Sequence, residues 1–518
     1  MIRVAFRVDS SRQIGSGHAM RCATLAGLLR QRGAEVVFVC RELDGNYCDW
    51  LEAQGHAVHR LPVPAIGEPL DGRLAHATWL GVTQARDSAE TREALAGGTW
   101  DWLIVDHYGL DAEWETAMRP TARRIMAIDD LADRRHDVDL LLDQNVVEGV
   151  NDRYLGRVPE HCGLLLGPAF ALLQAVYAQL HQASRSRATP MRRLFIFFGG
   201  VDPQNLTGLA LQAVRILGRT DLTVDAVIGA NNPHANVIRR VAAEVPQVRL
   251  HYNLPSLAPL MAEADLAIGA GGTASWERCC LGLPSLIITF AANQVPLAVG
   301  LSNLCLARWL GEAGKIDAQV LSHAISEALD DEALLEYSVR CHALVDGRGA
   351  ERAISVMQAS GDLEMHLRPA IAGDEKLLLR WANDPLVRRN AFDQNAIDSA
   401  THHLWFRDRL SEVDRFRIFI AETQLGIPVG QVRFERQKSY WSIDYSLDAA
   451  FRGAGLGKRL LGDALAELAR QEPNSQLLAR VKLTNHPSRR VFESLGFVSS
   501  NKGGIMVFSR AAADQGEN

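Results

Sequence analysis

Apolar and polar residues alternate along the first part of the chain in the pattern of an α/β fold. Residues 3–8 (RVAFRV) form a mostly apolar run that predicts a buried strand. Leucines recur at helical spacing over residues 17–32, and Gly33 follows at a position where helices commonly end. A second apolar run at 35–40 completes a strand–helix–strand unit, which is the opening of a parallel sheet.

Further apolar runs extend this pattern at 102–106, 124–128, 140–143 and 163–167. The segment 184–192 (SRSRATPMR) is polar, contains a proline and has no periodicity, so we predict a linker there. Beyond it the alternation restarts, with strand-like runs at 193–198, 224–230, 248–253, 266–272 and 284–290. Residues 1–355 are therefore predicted to form two βα-repeat domains.

The pattern changes near residue 360, where the chain becomes rich in Trp, Arg and His. Two segments have a helical pattern, 381–390 and 402–410. Three strand-like runs that meet in hairpins follow at 415–422, 429–435 and 442–447. The predicted fold class is thus α/β, with two Rossmann-like, doubly wound domains, followed by a C-terminal α+β domain. The predicted domain boundaries are 1–187, 188–360 and 361–518.

Composition narrows the choice of partners and compartment. The 518 residues are 47% apolar and 22% charged, which is ordinary for a globular protein, and the net charge is −6 from 55 basic and 61 acidic residues. This balance gives no support for nucleic acid or a membrane as partner. The eight cysteines have no regular spacing, and we see neither an apolar leader nor an apolar run of the roughly 20 residues that span a bilayer. We therefore expect a cytoplasmic protein with reduced thiols.

The loop after the first strand combines glycines with a histidine. In DSSRQIGSGHAMRC, five residues are candidates for a site: Asp9, Gly15, Ser16, Gly17 and His18. Because the loop leads into a helix, the free N–H groups and the dipole of that helix favour an anion such as phosphate. His18 would face that anion, and a histidine with an unperturbed pKa of about 6.5 is largely neutral at pH 7 and able to act as a base.

Three other interpretations of this loop stay open. A dinucleotide fingerprint would need a third glycine where the chain has Met20. The glycines could form a purely structural turn in which His18 packs against the helix or caps it. A metal site could use carboxylates and histidines near predicted strand ends, but no spacing among them is a ligand signature, and we expect no metal. The residues concerned are Asp9, His18, Asp106, His107, Asp129 and Asp130.

Two glycine loops of the second domain favour a diphosphate. Residues 198–202 contain Gly200, and 269–277 (GAGGTASWE) pass again from a strand through glycines into a helix. Glu277 could accept hydrogen bonds from a ribose diol, although a carboxylate in the first turn of a helix is favourable by itself. The candidates from the second loop are Gly272, Thr273, Ser275 and Glu277.

Several motifs in order resemble one family: RVDSSRQIGSGHAMRC, IVDHYGLD, FFGGVDPQN, IGAGGTASWERCCLGLPS and ANQ. They are similar to the UDP-sugar hydrolases of pseudaminic acid biosynthesis, which themselves resemble the two-domain GT-B glycosyltransferases. The resemblance covers the first two thirds of the chain. It implies that water displaces UDP from C1 of a UDP-2,4-diacetamido-2,4,6-trideoxy-altrose, with His18 as the base. Further substrate contacts are expected from Tyr108, Asn253, Asn293 and Gln294.

The third domain carries the motif RxxGxG at Arg452, Gly455 and Gly457, between a strand and an amphipathic helix. Backbone N–H groups there suit a pyrophosphate, although a plain Gly-rich turn would have the same composition. Together with NHPSRRVFESLGF at 485–497, the motif resembles the GNAT acetyltransferases over residues 364–510. The resemblance implies acetyl-CoA as cosubstrate, bound by Arg452, Gly453, Gly455, Leu456, Gly457, Lys458 and Asn485.

One position departs from the GNAT pattern. Many of these enzymes have a tyrosine that protonates the leaving thiolate where this chain has Phe492, which has no proton to donate. The acid is then another group, a water or the substrate itself. Trp405 and Phe406 could offer a surface to a uracil or sugar, or simply pack. Three residues are candidate bases for the amine, each against a structural or solvated role: Glu435, Asp444 and His403.

The two resemblances fit consecutive steps of one pathway. The C-terminal domain would N-acetylate the 4-amine of a UDP-4-amino-4,6-dideoxy-N-acetyl-altrosamine, and the N-terminal part would then release UDP. This describes a bifunctional enzyme of EC 2.3.1 and EC 3.6.1 type that serves flagellin glycosylation. The alternatives are a GT-B glycosyltransferase fused to a protein or other amine N-acetyltransferase, and an inactive nucleotide-sugar-binding module. The stereochemistry of the sugar and the oligomeric state stay open.

Overall fold

A computed structural model describes residues 2–65, 67, 70, 72–147, 149, 152–359, 363–473 and 475–511 of the chain. The chain divides into two compact units, Met1–Ala350 and Glu351–Asn518. The first unit contains two parallel sheets and the second a mixed sheet. The expected fold class, two α/β domains followed by an α+β domain, is confirmed, whereas the domain boundaries at 187 and 360 stay a prediction.

The first sheet is built from the apolar runs of the N-terminal third. Its strands are β1 (Arg3–Val8), β2 (Glu35–Arg41), β3 (Ala57–Leu61), β4 (Trp100–Asp106), β5 (Ala122–Ile128), β6 (Leu140–Asp143) and β7 (Gly163–Leu166). They are parallel, in the order β3-β2-β1-β4-β5-β6-β7. The helices of this part are α1 (Gly17–Gln31), α2 (Cys48–Ala53), α3 (Ala77–Leu80), α4 (Gln84–Ala94), α5 (Ala112–Met118) and α6 (Ala175–Gln182).

The second sheet repeats the same architecture. Its strands are β8 (Arg193–Phe197), β9 (Thr223–Ile228), β10 (Val248–Tyr252), β11 (Leu266–Gly269), β12 (Ser285–Thr289) and β13 (Arg308–Glu312). They are parallel, in the order β10-β9-β8-β11-β12-β13. The helices are α7 (Leu206–Leu217), α8 (Ala235–Ala243), α9 (Ala258–Glu263), α10 (Ala274–Cys280), α11 (Val295–Asn303), α12 (Ala318–Leu329), α13 (Ala333–Leu344) and α14 (Gly349–Ala359), and the boundary between the units falls within α14.

The predicted linker between these sheets has no regular structure and is anchored by two buried side chains. The Arg187 guanidinium is buried and donates to the carbonyl oxygens of Leu281 and Gly282 at 2.6 and 2.8 Å. Met191 is also fully buried. The polarity of this segment therefore reflects a buried arginine that binds backbone carbonyls, and not only exposure to solvent.

The third sheet is mixed. Its strands are β14 (Met365–Pro369), β15 (Phe416–Thr423), β16 (Pro428–Arg436), β17 (Trp441–Leu447), β18 (Gln476–Lys482), β19 (Val498–Lys502) and β20 (Ile505–Ala511). Their order is β14-β15-β16-β17-β18-β20-β19, with β17 and β18 parallel and the other neighbours antiparallel. The helices are α15 (Glu375–Ala382), α16 (Pro385–Asn390), α17 (Ser399–Ser411), α18 (Leu456–Gln471) and α19 (His486–Ser494). Short 3₁₀ turns lie at Pro168–Phe170, Ala292–Gln294, Ala313–Lys315, Ala372–Asp374 and Ala449–Phe451.

Strand order positions the candidate site of the first unit. In each parallel sheet the chain starts in the middle, runs to one edge and then crosses to the other side, so the order reverses between β1 and β4 and between β8 and β11. Ligands of open α/β sheets bind beyond the carboxyl ends of the strands at such a reversal. The loops that leave these four strands contain most of the residues singled out from the sequence.

Candidate functional site

The glycine loop after β1 makes a tight turn into α1. Gly15 has φ +82°, a left-handed conformation that glycine adopts without strain, and its N–H donates to the Ser11 carbonyl at 2.8 Å. Ser16 precedes the helix and Gly17 is its first residue. A Cβ at Gly15 would meet no atom within 4 Å, so the turn borders open space. Backbone N–H groups at the start of α1 are therefore accessible to an anion.

His18 and Asp106 form a buried pair at the centre of the first sheet's reversal. The His18 Nδ1 lies 2.5 Å from Asp106 Oδ1. Asp106 ends β4, the strand beside β1, so the two residues meet although 88 positions separate them. This contact occupies Nδ1 and leaves Nε2 as the imidazole nitrogen that a ligand or water can reach.

Arg21 holds the Asp106 carboxylate in place. Its Nε and Nη2 donate to the two carboxylate oxygens at 2.6 and 2.7 Å, and its Nη1 donates to Asp130 at 2.6 Å. Burial raises the pKa of Asp106, but the charges of Arg21 and His18 outweigh burial and lower it overall. Asp106 is therefore ionised at neutral pH and orients the imidazole as a fixed hydrogen-bond acceptor.

Tyr108 lies beside the pair and is buried. Its hydroxyl donates to Asp130 at 2.6 Å, and its ring stands edge-on to His18 at 4.6 Å. Trp79 stacks on Tyr108 at 5.4 Å, and His76 packs against Trp79 at 4.6 Å. These rings form an aromatic wall on one side of the imidazole.

Asp9 has a different environment from the one expected. Its carboxylate accepts hydrogen bonds from the Arg7 guanidinium at 2.6 and 2.8 Å and from the Arg41 backbone N–H at 2.7 Å. Arg7 in turn binds Asp87, and all these groups are fully buried. The geometry gives Asp9 a supporting role at the end of β1, and its direct contact with substrate stays a prediction.

The loops of the second sheet approach the start of α1 within the first unit. A Cβ at Gly200 would lie 3.1 Å from Ser16 Oγ, and one at Gly17 would lie 3.5 Å from Thr273 Oγ1. A Cβ at Gly272, like one at Gly15, would meet no atom within 4 Å. The histidine loop and both predicted diphosphate loops therefore surround one region, which the sequence alone could not show.

Some of the other predicted residues of the second domain are engaged in hydrogen bonds within the protein, whereas others are exposed and can contact a ligand. Ser275 is buried and its hydroxyl accepts from the Arg278 side chain at 2.9 Å. The Gln294 side chain accepts from the Phe290 backbone N–H at 3.1 Å and so supports the local backbone. Asn253 and Asn293 are exposed.

Glu277 is the titratable residue of the second glycine loop. It is half-buried, one turn into α10 and beside the Tyr177 hydroxyl, and burial raises its pKa to about 7. Ribose contact by Glu277 stays a prediction.

The RxxGxG loop of the second unit runs from β17 to α18. Gly453 and Gly455 have φ of +82° and +76°, and a Cβ on either would meet nothing within 4 Å. Gly457 lies in the first turn of α18, where a Cβ would contact Val491 and Tyr445 at 3.5 and 3.6 Å. The loop therefore presents bare backbone to solvent at a helix start, as binding of a diphosphate requires.

Side chains around this loop mostly hold it in place. Arg452 pairs with Asp384 at 2.9 Å and donates to the Leu447 carbonyl at 3.0 Å. Leu456 is buried in the core, and Asn485 caps α19 by accepting from the Ser488 N–H at 3.3 Å. Lys458 is exposed. Their contacts with acetyl-CoA stay predictions, in which Leu456 can contribute only its backbone.

Strands β17 and β18 separate beside the loop. Over the described residues of both strands, pairing is confined to Trp441 with Leu477 and Ser442 with Leu478. The backbone of β17 beyond Ser442 is consequently free on this side, and an amide-bearing ligand arm can pair with it as an added strand. Phe492 lies in the adjacent core, stacked on Phe508 at 5.2 Å.

The candidate bases of this unit are all paired. Asp444 lies 3.3 Å from Arg433, Glu435 lies 3.7 Å from Arg415, and His403 contacts Glu375 at 2.9 Å.

Trp405 and Phe406 differ in exposure: Trp405 is half-buried, whereas Phe406 is 1% exposed, so the suggestion that Phe406 offers a ligand surface is wrong. Its side chain packs in a small core with Trp381 and Ile420.

Sequence reasoning missed the residues that orient His18. Asp106 was singled out only as a possible metal ligand at a strand end, Arg21 lay unremarked in the predicted helix, and Trp79 and His76 were not singled out at all. One signal was available: Arg21 follows His18 by three positions, so both lie on one face of α1. Among the described residues, no group of three or more His, Cys, Asp or Glu is arranged to hold a metal, and no helix combines the length and apolar character needed to cross a bilayer.

Known proteins resemble both units. Residues 364–498 match the family model for the acetyltransferase (GNAT) domain. The chain carries a GNAT acetyltransferase domain. The UDP-2,4-diacetamido-2,4,6-trideoxy-beta-L-altropyranose hydrolase of Campylobacter jejuni is 26% identical over 303 residues, which cover 58% of this chain and 97% of the relative. The expected resemblance of the N-terminal part to that hydrolase, fused to a GNAT domain, is therefore confirmed.

Two further matches span more of the chain. An uncharacterized protein of Methanocaldococcus jannaschii is 21% identical over 520 residues, covering 97% of this chain and 98% of its own length. Among solved structures, MurG of Acinetobacter baumannii aligns with 69% of this chain and 99% of its own at 14% identity, with a TM-score of 0.48.

Proposed function

We propose that the chain is a bifunctional nucleotide-sugar enzyme. In its second unit, the GNAT domain transfers an acetyl group from acetyl-CoA to the 4-amine of a UDP-4-amino-4,6-dideoxy-N-acetyl-altrosamine. In its first unit, water then displaces UDP from C1 of the diacetamido product. The resemblance to the Campylobacter jejuni hydrolase and the GNAT family match support the two activities, and the site geometry supports the residues assigned to them.

The observation that carries the hydrolytic half is the His18–Asp106 contact of 2.5 Å at the reversal of the first sheet. With Nδ1 held by Asp106, Nε2 is the base that takes a proton from water while the water oxygen bonds to C1. The C1–O bond to UDP breaks, and its electron pair leaves with the diphosphate. Asp106 stabilises the imidazolium that forms, and a positioned base of this kind contributes about 10²–10⁴-fold to the rate.

The leaving group explains why one base is sufficient. UDP departs readily because its diphosphate is a weakly basic leaving group, so the paired carboxylates of ordinary glycosidases are unnecessary. The negative charge that develops can be stabilised by backbone N–H groups of the loops at Gly200 and Gly272, which face the start of α1. We assign these loops to the diphosphate and Glu277 to the ribose.

The acetyl-transfer half uses backbone more than side chains. The pyrophosphate of acetyl-CoA would bind the N–H groups of 453–457, and its amide-bearing arm would lie between β17 and β18, where β17 has unpaired backbone. The amine attacks the thioester carbonyl, and the C–S bond breaks to release CoA. This arrangement places the thioester near the end of β17, on the strand that also carries Asp444.

The test follows both products separately. Wild-type protein is incubated with the UDP-4-amino sugar and acetyl-CoA, with CoA measured by thiol titration and UDP by chromatography. We expect CoA release to precede UDP release and UDP release to need no sugar acceptor. Release of UDP only when an acceptor is added would favour a glycosyltransferase, and acetylation of peptides but not of the sugar would favour a protein acetyltransferase.

Two variants separate the halves. His18→Ala should lower the rate of UDP release by about 10²–10⁴-fold. The rate of CoA release should be unchanged, since the substitution removes only the base of the first unit. A wild-type rate of UDP release by this variant would remove His18 from the mechanism. The matched control is His59→Ala, a histidine at an exposed position of β3 in the same sheet, which should release both products normally.

A further inference from the structure

A tryptophan in the second unit holds two arginine side chains together. Trp405 lies on α17, and the guanidinium carbons of Arg409 and Arg433 lie 4.6 and 4.9 Å from its ring centroid. Arg409 comes from the same helix one turn later, whereas Arg433 comes from β16. A flat aromatic ring binds guanidinium groups through its π face and so can hold like charges close to each other.

These side chains lie on the sheet face opposite the main core. Along β16, Val432 and Phe434 are fully buried in that core, so Gln431, Arg433 and Glu435 face the other way. On β17, the partner of Arg433 in register is Asp444, and the two side chains pair at 3.3 Å. Arg433 therefore connects Trp405 with β17, the strand whose edge is free beside the coenzyme loop.

Carboxylates balance part of the charge of this cluster, because Arg433 pairs with Asp444 and Arg415 lies 3.7 Å from Glu435. Arg409 has no carboxylate within ion-pair distance in the described part of the unit, and its guanidinium donates a long hydrogen bond to the Trp405 carbonyl at 3.4 Å. Arg415, whose guanidinium carbon lies over the Phe416 ring like that of Arg409, pairs with Glu412 at 3.5 Å and with Glu435 at 3.7 Å. Burial lowers the pKa of Arg409, the charge of Glu435 raises it, and the charges of Arg433 and Arg415 lower it, so the pKa is lowered overall.

An anion with several oxygens would give Arg409 the ion-pair partner that the described residues do not supply. Guanidinium groups bind phosphate oxygens with paired N–H donors, and charge-assisted bonds of this kind are about twice as strong as neutral ones.

We propose that Trp405, Arg409 and Arg433 form a subsite for the diphosphate of a nucleotide-linked acceptor in the GNAT domain. The proposal rests on the proposed function and adds to it a place for the acceptor's nucleotide. Asp444 lies between this subsite and the free edge of β17, so the sugar amine extends from the bound diphosphate past Asp444 toward the thioester. Asp444 is more than half exposed and can contact the amine.

The kinetic test uses the full chain and two acceptors. Arg409→Gln and Arg433→Gln should each raise the KM for the UDP-4-amino sugar by about 10- to 100-fold, the loss expected for a hydrogen bond to a charged group. The KM for acetyl-CoA should not change. In Arg409→Gln, which leaves the Arg433–Asp444 pair intact, acetylation of the same amino sugar without UDP should not change either. Arg407→Gln is the matched control, since Arg407 is exposed on the same helix and lies outside the cluster.

A second measurement does not depend on activity. Arginines are modified with phenylglyoxal and quantified residue by residue with mass spectrometry, with and without UDP or pyrophosphate. Protection of Arg409 and Arg433, but not of Arg407, would support the subsite even if the UDP-amino sugar were not a substrate, in which case only the proposed reaction fails. Equal modification with and without UDP, or an equal rise in KM for both amino sugars, would overturn the subsite.

Discussion

The histidine site of the first unit and the coenzyme loop of the second are built from different groups. His18 depends on side chains from separate strands: Asp106 orients it, and Arg21 fixes Asp106 with two hydrogen bonds. The RxxGxG loop depends on backbone, with Gly453 and Gly455 in left-handed conformations and a helix directly after them. A site made of buried ion pairs should be sensitive to single polar substitutions, whereas a backbone loop should be sensitive to added side-chain volume.

The sharpest test of the side-chain site is Asp106→Asn. The amide can still contact His18 but no longer stabilises an imidazolium, so UDP release should fall by about 10²–10⁴-fold while CoA release is unchanged. The matched control is Asp101→Asn at the other end of β4, which should retain both activities. Near-normal UDP release by Asp106→Asn would show that the buried pair serves stability only.

The corresponding test of the backbone loop is Gly457→Val. A Cβ at this position makes ordinary contacts with Val491 and Tyr445, so Ala should be tolerated, while the two additional methyl groups of Val crowd the loop. We expect the KM for acetyl-CoA to rise at least about tenfold, with UDP release from an already acetylated UDP-sugar unaffected. Gly462→Val, later in α18, controls for the helix itself. If Gly457→Val left the KM for acetyl-CoA unchanged, the assignment of this loop as the coenzyme site would be wrong.

The free energy of unfolding should depend on pH through Glu277, which lies beside the second sheet. Burial raises the pKa of Glu277 from its ordinary 4.5 to about 7, so the folded state favours the protonated form. The stability that this group contributes is complete below pH 4.5 and is lost as the pH rises through 7. Glu277→Gln, which cannot ionise, should therefore gain about 1–3 kcal/mol relative to wild type at pH 8 and little at pH 4.5.

Denaturant unfolding at the two pH values measures this difference. Exposed Glu160→Gln is the control and should show the same stability as wild type at both. A Glu277→Gln variant whose advantage is equal at pH 4.5 and pH 8 would mean that Glu277 ionises normally.

The smallest expected effect on activity is that of Phe492→Tyr. Phe492 is buried and packs among Phe497, Phe508 and Tyr445, so a hydroxyl there enters a closely packed aromatic core. We expect acetyl transfer within about twofold of wild type and a stability loss of about 1–3 kcal/mol from an unpaired buried hydroxyl. Phe497→Tyr should lose comparable stability. Faster acetyl transfer by Phe492→Tyr alone would identify the hydroxyl as a missing acid.

The sequence predicted correctly the elements that are marked by a clear apolar pattern or by glycines. The start and end of α1, the apolar strands β1, β2, β4 and β8, and the glycine turns of both units all lie where the sequence indicates. Weak strands were missed for a physical reason. All five residues of β19 are exposed, so no alternation of apolar and polar residues marks it. The linker at 184–192 was recognised as irregular, but its buried Arg187 has no signature in composition.

The sequence by itself determined the fold class, the glycine loops and the presence of a histidine at a helix start, because these follow from periodicity and from what glycine and helix termini permit within a few residues. Tertiary structure alone decided which groups act on that histidine. Asp106 reaches His18 only because β4 pairs with β1, and Arg433 reaches Trp405 only because α17 packs across the sheet that contains β16. Contacts between residues far apart in the chain depend on strand order and packing, which no local pattern encodes.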